Sequence, residues 1–142
     1  MKQLIIALFL ISNLTLLAQT SQFAGNYNRI LSDGEKHKIE YTLTLNPDGT
    51  FVFHSHSKLQ GGVPAETDQY GKGKWSAKGD LITFYSNKQE DFDEKYTLDF
   101  NKSTARFITK NPRDKSDKIV KTKLQFLESE IFWMSRIDIF KE

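Results

Sequence analysis

Short runs rich in Phe, Tyr, Ile, Thr and Val recur along the chain of 142 residues, separated by turn signals at intervals of about ten residues. Helical periodicity is weak throughout. This spacing of short runs is typical of an all-β sandwich or barrel. The runs predict strands near residues 23–31, 38–46, 50–58, 71–77, 80–86, 93–101, 104–110, 119–128 and 131–139.

The best-defined hairpin surrounds Asn46-Pro47-Asp48-Gly49, which places Pro at the second turn position and Gly where a positive φ is needed. A three-residue loop with Gly49 as the bulge pairs Asn46 with Thr50. The alternation along the two strands then sends large apolar side chains to one face and both His54 and His56 to the other. The predicted pairs are Leu45 with Phe51, Leu43 with Phe53, Tyr41 with Ser55, Thr44 with Val52, Thr42 with His54, and Glu40 with His56.

A second hairpin is predicted around Lys78-Gly79. A two-residue loop there opposes Trp75 to Ile82 and Gly73 to Phe84. A three-residue loop turns Ile82 and Phe84 outward, buries less apolar surface and is therefore disfavoured.

Two connections differ from these tight turns. Residues 58–70 contain Gly61, Gly62 and Pro64 and predict a long loop that acts as a mobile element at a barrel mouth. Residues 110–118 predict a polar, net-basic turn. The last predicted strand is apolar on both faces at residues 131–134, so we expect another segment to cover it.

The first 18 residues carry one cation, Lys2, an apolar run from Leu4 to Ile11 and a mixed run to Leu17, which is typical of a secretory signal peptide cut after Ala18. A membrane anchor is the rival interpretation, but a spanning helix needs about 20 apolar residues. The sequence therefore predicts an exported protein, periplasmic or secreted, with one domain over residues 19–142.

The charge balance and the cysteine content limit the kinds of partner and site that this sequence can have. Removal of Lys2 with the signal leaves 19 basic and 18 acidic residues, and this near neutrality argues against nucleic acid as the main partner. The chain has no cysteine, which excludes disulfides, thiolate metal sites and a lipid-modified cysteine after the signal. No membrane span is expected after signal cleavage.

Three segments carry a family resemblance: FAGNY (23–27), LTLNPDGTFVF (43–53) and GKGKWSAKGDLITFYS (71–86). Together they resemble small exported bacterial lipocalin-like domains of the calycin type. FAGNY lies where such proteins carry a Gly-x-Trp type motif, with Tyr27 in place of Trp, and the two longer segments resemble two strand hairpins of these domains. The resemblance implies a single antiparallel up-and-down barrel of about eight to nine strands, lipocalin-like in architecture, with a ligand cavity at one open end.

On this basis the leading hypothesis is a non-catalytic protein that binds a small apolar or amphipathic ligand inside the barrel. The expected interior ligand-binding residues are Tyr41, Leu43, Phe53, Trp75, Phe84, Tyr96 and Phe107. An eight-stranded barrel has an interior only just wide enough for side chains or one small ligand. The alternative is therefore an envelope protein-interaction module or inhibitor with a filled barrel.

His54, His56 and Glu40 are weak candidates for a metal site, because residues i and i+2 share a strand face and Glu40 lies opposite His56. A solvent-facing strand surface is the favoured interpretation, so no metal is predicted. Asp91, Asp93 and Glu94 are interpreted as a solvated acidic turn and Arg136 as a structural residue at a barrel end. Motifs for catalysis or for cofactor binding are absent from the sequence, which predicts neither an enzyme nor a cofactor.

Overall fold

A computed structural model describes residues 21–142 as a closed, antiparallel barrel of eight strands. Each strand pairs with the next along the chain, and the last pairs with the first, which is the predicted up-and-down architecture. The predicted signal peptide and its cleavage site lie outside the described residues. The strands are β1 (Gly25–Asp33), β2 (His37–Leu45), β3 (Thr50–Leu59), β4 (Glu66–Lys78), β5 (Leu81–Tyr85), β6 (Ser103–Ile108), β7 (Lys123–Glu128) and β8 (Asp138–Lys141).

The β2–β3 hairpin has the predicted register at every pair from Tyr41↔Ser55 to Leu45↔Phe51. Its turn is stabilised by Asp48, whose Oδ1 accepts hydrogen bonds from the amide of Thr50 at 2.9 Å and from its hydroxyl at 2.6 Å. Gly49 has a φ of +87°, as the predicted bulge requires. Turn chemistry and alternation agree in this hairpin, and together they define its register.

The predicted register of the β4–β5 hairpin is wrong by two residues. Trp75 pairs with Phe84, and Lys78 pairs with Leu81, so the two-residue loop is Gly79-Asp80. Gly79 has a φ of +60°, which suits the first position of such a loop. A shift of two residues keeps each side chain on its face, and Ile82 and Phe84 are therefore buried as predicted.

The predicted loop over residues 58–70 is much shorter in the structure. β3 continues to Leu59 and β4 begins at Glu66, which leaves a connection of residues 60–65 with a cis Val63–Pro64 bond. Polar residues form the first part of β4, where backbone pairing with β3 runs from Lys58↔Glu66 to Thr50↔Lys74. The segment that was predicted to be a long mobile loop is therefore mostly part of the β3–β4 hairpin, with a short turn at its end.

The predicted strand at residues 93–101 is irregular, with a single parallel bridge between Tyr96 and Tyr70. The Asp93 carboxylate accepts the amides of Lys95 and Tyr96, both at 2.8 Å. A local turn of this kind competes with ladder formation. On β4, the strand β5 pairs only with Lys74–Lys78. The irregular segment lies beside Tyr70 and Gly71 of β4, where the Tyr70 carbonyl accepts the amides of Thr97 and Leu98, and Phe100 enters the core.

The predicted strand at residues 131–139 is wrong over its first part. Residues 132–136 form a turn in which the Met134 amide donates to the carbonyl of Ile131 at 2.9 Å, and β8 begins only at Asp138. Trp133 and Met134 pack against the core, whereas Phe132 is exposed. This run of apolar residues, predicted as a strand covered on both faces, is therefore a turn that closes one end of the barrel.

Candidate functional site

The barrel interior contains six of the seven residues that were expected to line it. Tyr41, Leu43, Phe53, Trp75, Phe84 and Phe107 are all buried in the core. Tyr96 was placed wrongly, because it lies outside the barrel with its ring 5.9 Å from that of Tyr70. The irregular backbone around Asp93 breaks the alternation that would have turned Tyr96 inward.

Aromatic rings occupy this interior along its length. At one end the ring of Phe23 lies 4.9 Å from that of Phe107 and 6.5 Å from that of Trp75. In the middle, Phe51 contacts Phe84 and Phe100, with 5.1 Å between ring centroids in both pairs. These separations lie in the range of favourable aromatic pairs, so the rings fill the space between the walls.

Each end of the barrel is closed by an aromatic contact. Tyr27 is buried and donates its hydroxyl to the Phe23 carbonyl at 2.6 Å, and burial raises the pKa of Tyr27. At the opposite end Trp133 stacks on Tyr41 at 5.3 Å with an interplanar angle of 7°. Trp133 belongs to the turn after β7, so the ring that closes this end is carried by a loop and not by the wall.

The outer face of β3 carries His54 and His56, opposite Thr42 and Glu40 of β2 as the sequence predicted. Both imidazoles are about one-third exposed, with side-chain values of 33% and 32%. This degree of exposure leaves both rings accessible to solvent while their strand is fixed by ladders on both sides.

Asp68 of β4 joins the two histidines, and sequence reasoning missed it. Its Oδ1 lies 2.7 Å from His54 Nε2 and 2.9 Å from His56 Nδ1. These hydrogen bonds, that of His56 first, lower the pKa of Asp68 because they stabilise the carboxylate. The sequence predicted a loop at Asp68. The available signal was its spacing of two residues from Tyr70, which places both side chains on one face once β4 is extended to Glu66.

Glu40, the carboxylate considered for the same cluster, has a different partner. Its Oε2 lies 3.1 Å from Lys38 Nζ on the same strand. Among residues 21–142, the cluster with ligand atoms close enough for one ion is His54, His56 and Asp68, all within 4.8 Å of one another. Asp68, and not Glu40, is therefore the carboxylate that contacts the two histidines.

A layer of aromatic and cationic side chains supports the cluster. The His54 ring stacks on Tyr70 at 4.4 Å with an angle of 5° between the planes. Lys95 Nζ lies 4.5 Å from the centre of the Tyr70 ring, and Lys72 Nζ lies at the same distance from Tyr96. The stack on Tyr70 restricts the orientation of the His54 ring, and the contact with Lys95 supports the Tyr70 ring in turn.

The remaining sequence candidates have structural partners. Asp91 accepts the amide of Asn87 at 2.6 Å, and Asp93 accepts two amides as described, so both carboxylates act in local turns. Arg136 has a φ of +69° and donates its amide to the Phe126 carbonyl, which gives it a place in the backbone of the closing loop.

The closed eight-stranded barrel with a filled aromatic interior defines a small lipocalin-like barrel domain, the class that the sequence motifs resembled. The model of the NlpE N-terminal domain family matches residues 33–105. The match covers half of the chain, from the end of β1 into β6. The chain therefore belongs to the NlpE N-terminal domain family.

Among solved structures, the chain is similar to the crystal structure of the Cpx pathway activator NlpE from Escherichia coli, with 19% sequence identity and a TM-score of 0.43. The similarity covers 80% of this chain and 45% of the E. coli chain, so this chain spans less than half of that protein. No match was found among curated proteins. Residues 21–142 contain no helix of the length and apolarity that crossing a membrane requires.

Proposed function

We propose that this chain is an exported, non-catalytic protein-interaction module of the bacterial envelope, in which the barrel is a rigid scaffold. The observation that carries the proposal is the interior, where packed rings take the place that a ligand would need. Membership of the NlpE N-terminal domain family supports a place in the bacterial envelope.

The packing inside the barrel favours a scaffold over a carrier. Phe100 enters from the segment before β6 and contacts Phe51, Phe53 and Phe84. Gly71 is required beside it, because a Cβ at that position would lie 2.5 Å from the Phe100 ring. Because the core side chains already lie at contact distance from one another, a ligand would fit only if core rings moved from their positions.

The partner surface that we infer is the barrel end formed by the turns after β1, β3 and β7 together with the segment after β5. The up-and-down order brings these connections to the same end. The turns after β3 and β7 each carry a strongly exposed apolar side chain at that end, Val63 at 100% and Phe132 at 87% exposure. Exposed aromatic side chains such as that of Phe132 often contribute a large part of the binding energy of a protein contact.

Site-specific photo-crosslinking in cells of the source organism tests this surface. A photoreactive amino acid replaces Phe132, and Ile119, 91% exposed in the loop at the opposite end, is the matched control position. We expect a discrete protein adduct from position 132 and none from position 119. No adduct at 132, or the same adducts from both positions, would contradict the proposal.

Binding of a small apolar or amphipathic ligand is the second candidate, and the position of Trp133 favours it. The indole closes the Tyr41 end from a loop, so its displacement would expose the inner wall without breaking a strand. Native mass spectrometry of the protein isolated from its host tests this candidate. A retained molecule that Trp133→Ala protein loses would support it, whereas a mass equal to that of the bare chain would reject it.

A further inference from the structure

The cluster of His54, His56 and Asp68 offers the donors of a metal site: two imidazole nitrogens and one carboxylate oxygen. His54 and His56 are two residues apart on β3 and share its outer face, and Asp68 is the direct partner of His56 in the β3–β4 ladder. The arrangement is thus produced by strand register, which fixes the three backbone positions.

The distances are close to those of a ligand set around one ion. Zinc bonds to nitrogen and oxygen of about 2.0–2.2 Å place tetrahedral ligand atoms about 3.4 Å apart. The corresponding distances here are 2.7 Å from Asp68 to His54 and 2.9 Å from Asp68 to His56. A side-chain movement of about 0.5–0.7 Å would bring these distances to the tetrahedral value, and the side chains of His54, His56 and Asp68, which are 33%, 32% and 44% exposed, have room to make it.

The surroundings hold the donors in place before an ion arrives. His54 is stacked against Tyr70, which pairs with it across the ladder, and Tyr70 is in turn contacted by Lys95 and Tyr96. Orientation of a ligand ring by its neighbours lowers the ordering entropy that binding must overcome.

We propose that His54, His56 and Asp68 bind a divalent transition-metal ion, with Zn²⁺ as the reference ion, on the outer face of β3 and β4. Imidazole together with one carboxylate suits Zn²⁺, Co²⁺, Ni²⁺ or Cu²⁺ better than Mg²⁺ or Ca²⁺, which prefer all-oxygen sites. Three protein ligands leave at least one position for water or for a group from another molecule. The site is separate from the barrel interior and from Phe132, so it stands or falls independently of the function proposed above.

Calorimetric titration of the purified, chelator-treated and tag-free protein with Zn²⁺ tests the site. We expect one ion per chain, with affinity lowered at least about tenfold by His54→Ala, His56→Ala or Asp68→Asn, as loss of a ligand costs no less than loss of a supporting contact. His37→Ala and Glu40→Gln are the matched controls, since His37 pairs with Leu59 and not with a member of the cluster, and Glu40 is paired with Lys38. Both controls should bind as the wild type does.

A second readout locates the ion without depending on affinity. Zn²⁺ should shift the imidazole NMR signals of His54 and His56 and leave those of His37 unchanged, and Co²⁺ should give a visible ligand-field band that Asp68→Asn alters. Circular dichroism of each variant verifies that the barrel is intact. The proposal is overturned by wild-type protein that binds no Zn²⁺, by unchanged affinity in Asp68→Asn, or by equal loss in His37→Ala.

Discussion

The two faces of β3 differ sharply although their residues alternate along one strand. Phe51, Phe53 and Ser55 point inward and are at most 5% exposed, while Val52, His54 and His56 point outward. The inner rings contact other rings, whereas the outer imidazoles bond to a carboxylate and stack on Tyr70. The inner face therefore holds the fold together, and the outer face is free to carry a site.

This division predicts different energetic consequences for neighbouring residues. Burial of apolar area dominates on the inner face and does not depend on pH. Cross-strand pairs and hydrogen bonds of exposed groups contribute less on the outer face and include groups that titrate. Substitutions on adjacent residues separate the two contributions.

The largest effect is expected for Phe53→Ala. The ring is fully buried between Tyr41, Phe100 and Trp133, so its removal should lower the free energy of unfolding by about 3–5 kcal/mol. Val52→Ala is the matched control on the outer face and should change it by about 0.5 kcal/mol or less. Urea denaturation measures both, and equal losses would mean that the two faces are not distinct.

Gly71→Ala tests the tightness of the inner face from the opposite direction, by adding a methyl group. The new Cβ would lie 2.5 Å from Cε2 of Phe100, and the overpacking should cost about 1–3 kcal/mol. Combination with Phe100→Leu should recover part of this loss, because the clash is with the ring. Thermal unfolding of the single and double variants measures the coupling, and strictly additive losses would argue against the contact.

Sequence reasoning succeeded where two local signals agreed. In the β2–β3 hairpin the turn residues and the alternation specify the same pairing, so Leu45 and Phe51 were matched and His54 was placed outside. In the β4–β5 hairpin the face of Trp75 was right and its partner wrong, because a slip of two residues leaves alternation unchanged. Alternation identifies faces, and only turn chemistry identifies pairs.

The missed elements share a physical cause, which is that backbone pairing and packing leave a weak signal in side-chain pattern. Residues 66–69 are polar, yet they form β4 because β3 supplies a backbone partner for each. Asp68 was overlooked for that reason, and with it the third member of the histidine cluster. Residues 131–134 are apolar on all sides because a closing turn packs against the core, a pattern that a doubly covered strand also produces.

A smaller effect is expected on the outer face, where His54 and Tyr70 form a stacked cross-strand pair. A double-mutant cycle with His54→Ala and Tyr70→Ala should give a coupling energy of about 0.2–1 kcal/mol. The matched cycle uses Thr42, the partner of His54 on the other neighbouring strand, with Thr42→Ala in place of Tyr70→Ala. A coupling energy as large as the loss expected for Phe53→Ala, or equal coupling energies in the two cycles, would contradict a modest stabilisation by the His54–Tyr70 stack.

The smallest effect is expected in the β2–β3 turn, and its pH dependence distinguishes it from a loss on the inner face. The hydrogen bonds that Asp48 accepts from the hydroxyl and amide of Thr50 lower the pKa of this carboxyl below its ordinary value. Its contribution to stability is therefore present above the unfolded pKa of about 3.9 and is lost as the pH falls through the lower folded pKa. Asp48→Asn should unfold at lower urea than the wild type at neutral pH, and the difference should shrink in acid. Thr50→Val, which removes the hydroxyl donor, should reproduce part of this pH dependence.

Phe53→Ala should instead lower the urea midpoint by a similar amount across the same range, since no titrating group is removed. A pH-independent difference for Asp48→Asn would mean that the turn does not favour the charged carboxylate.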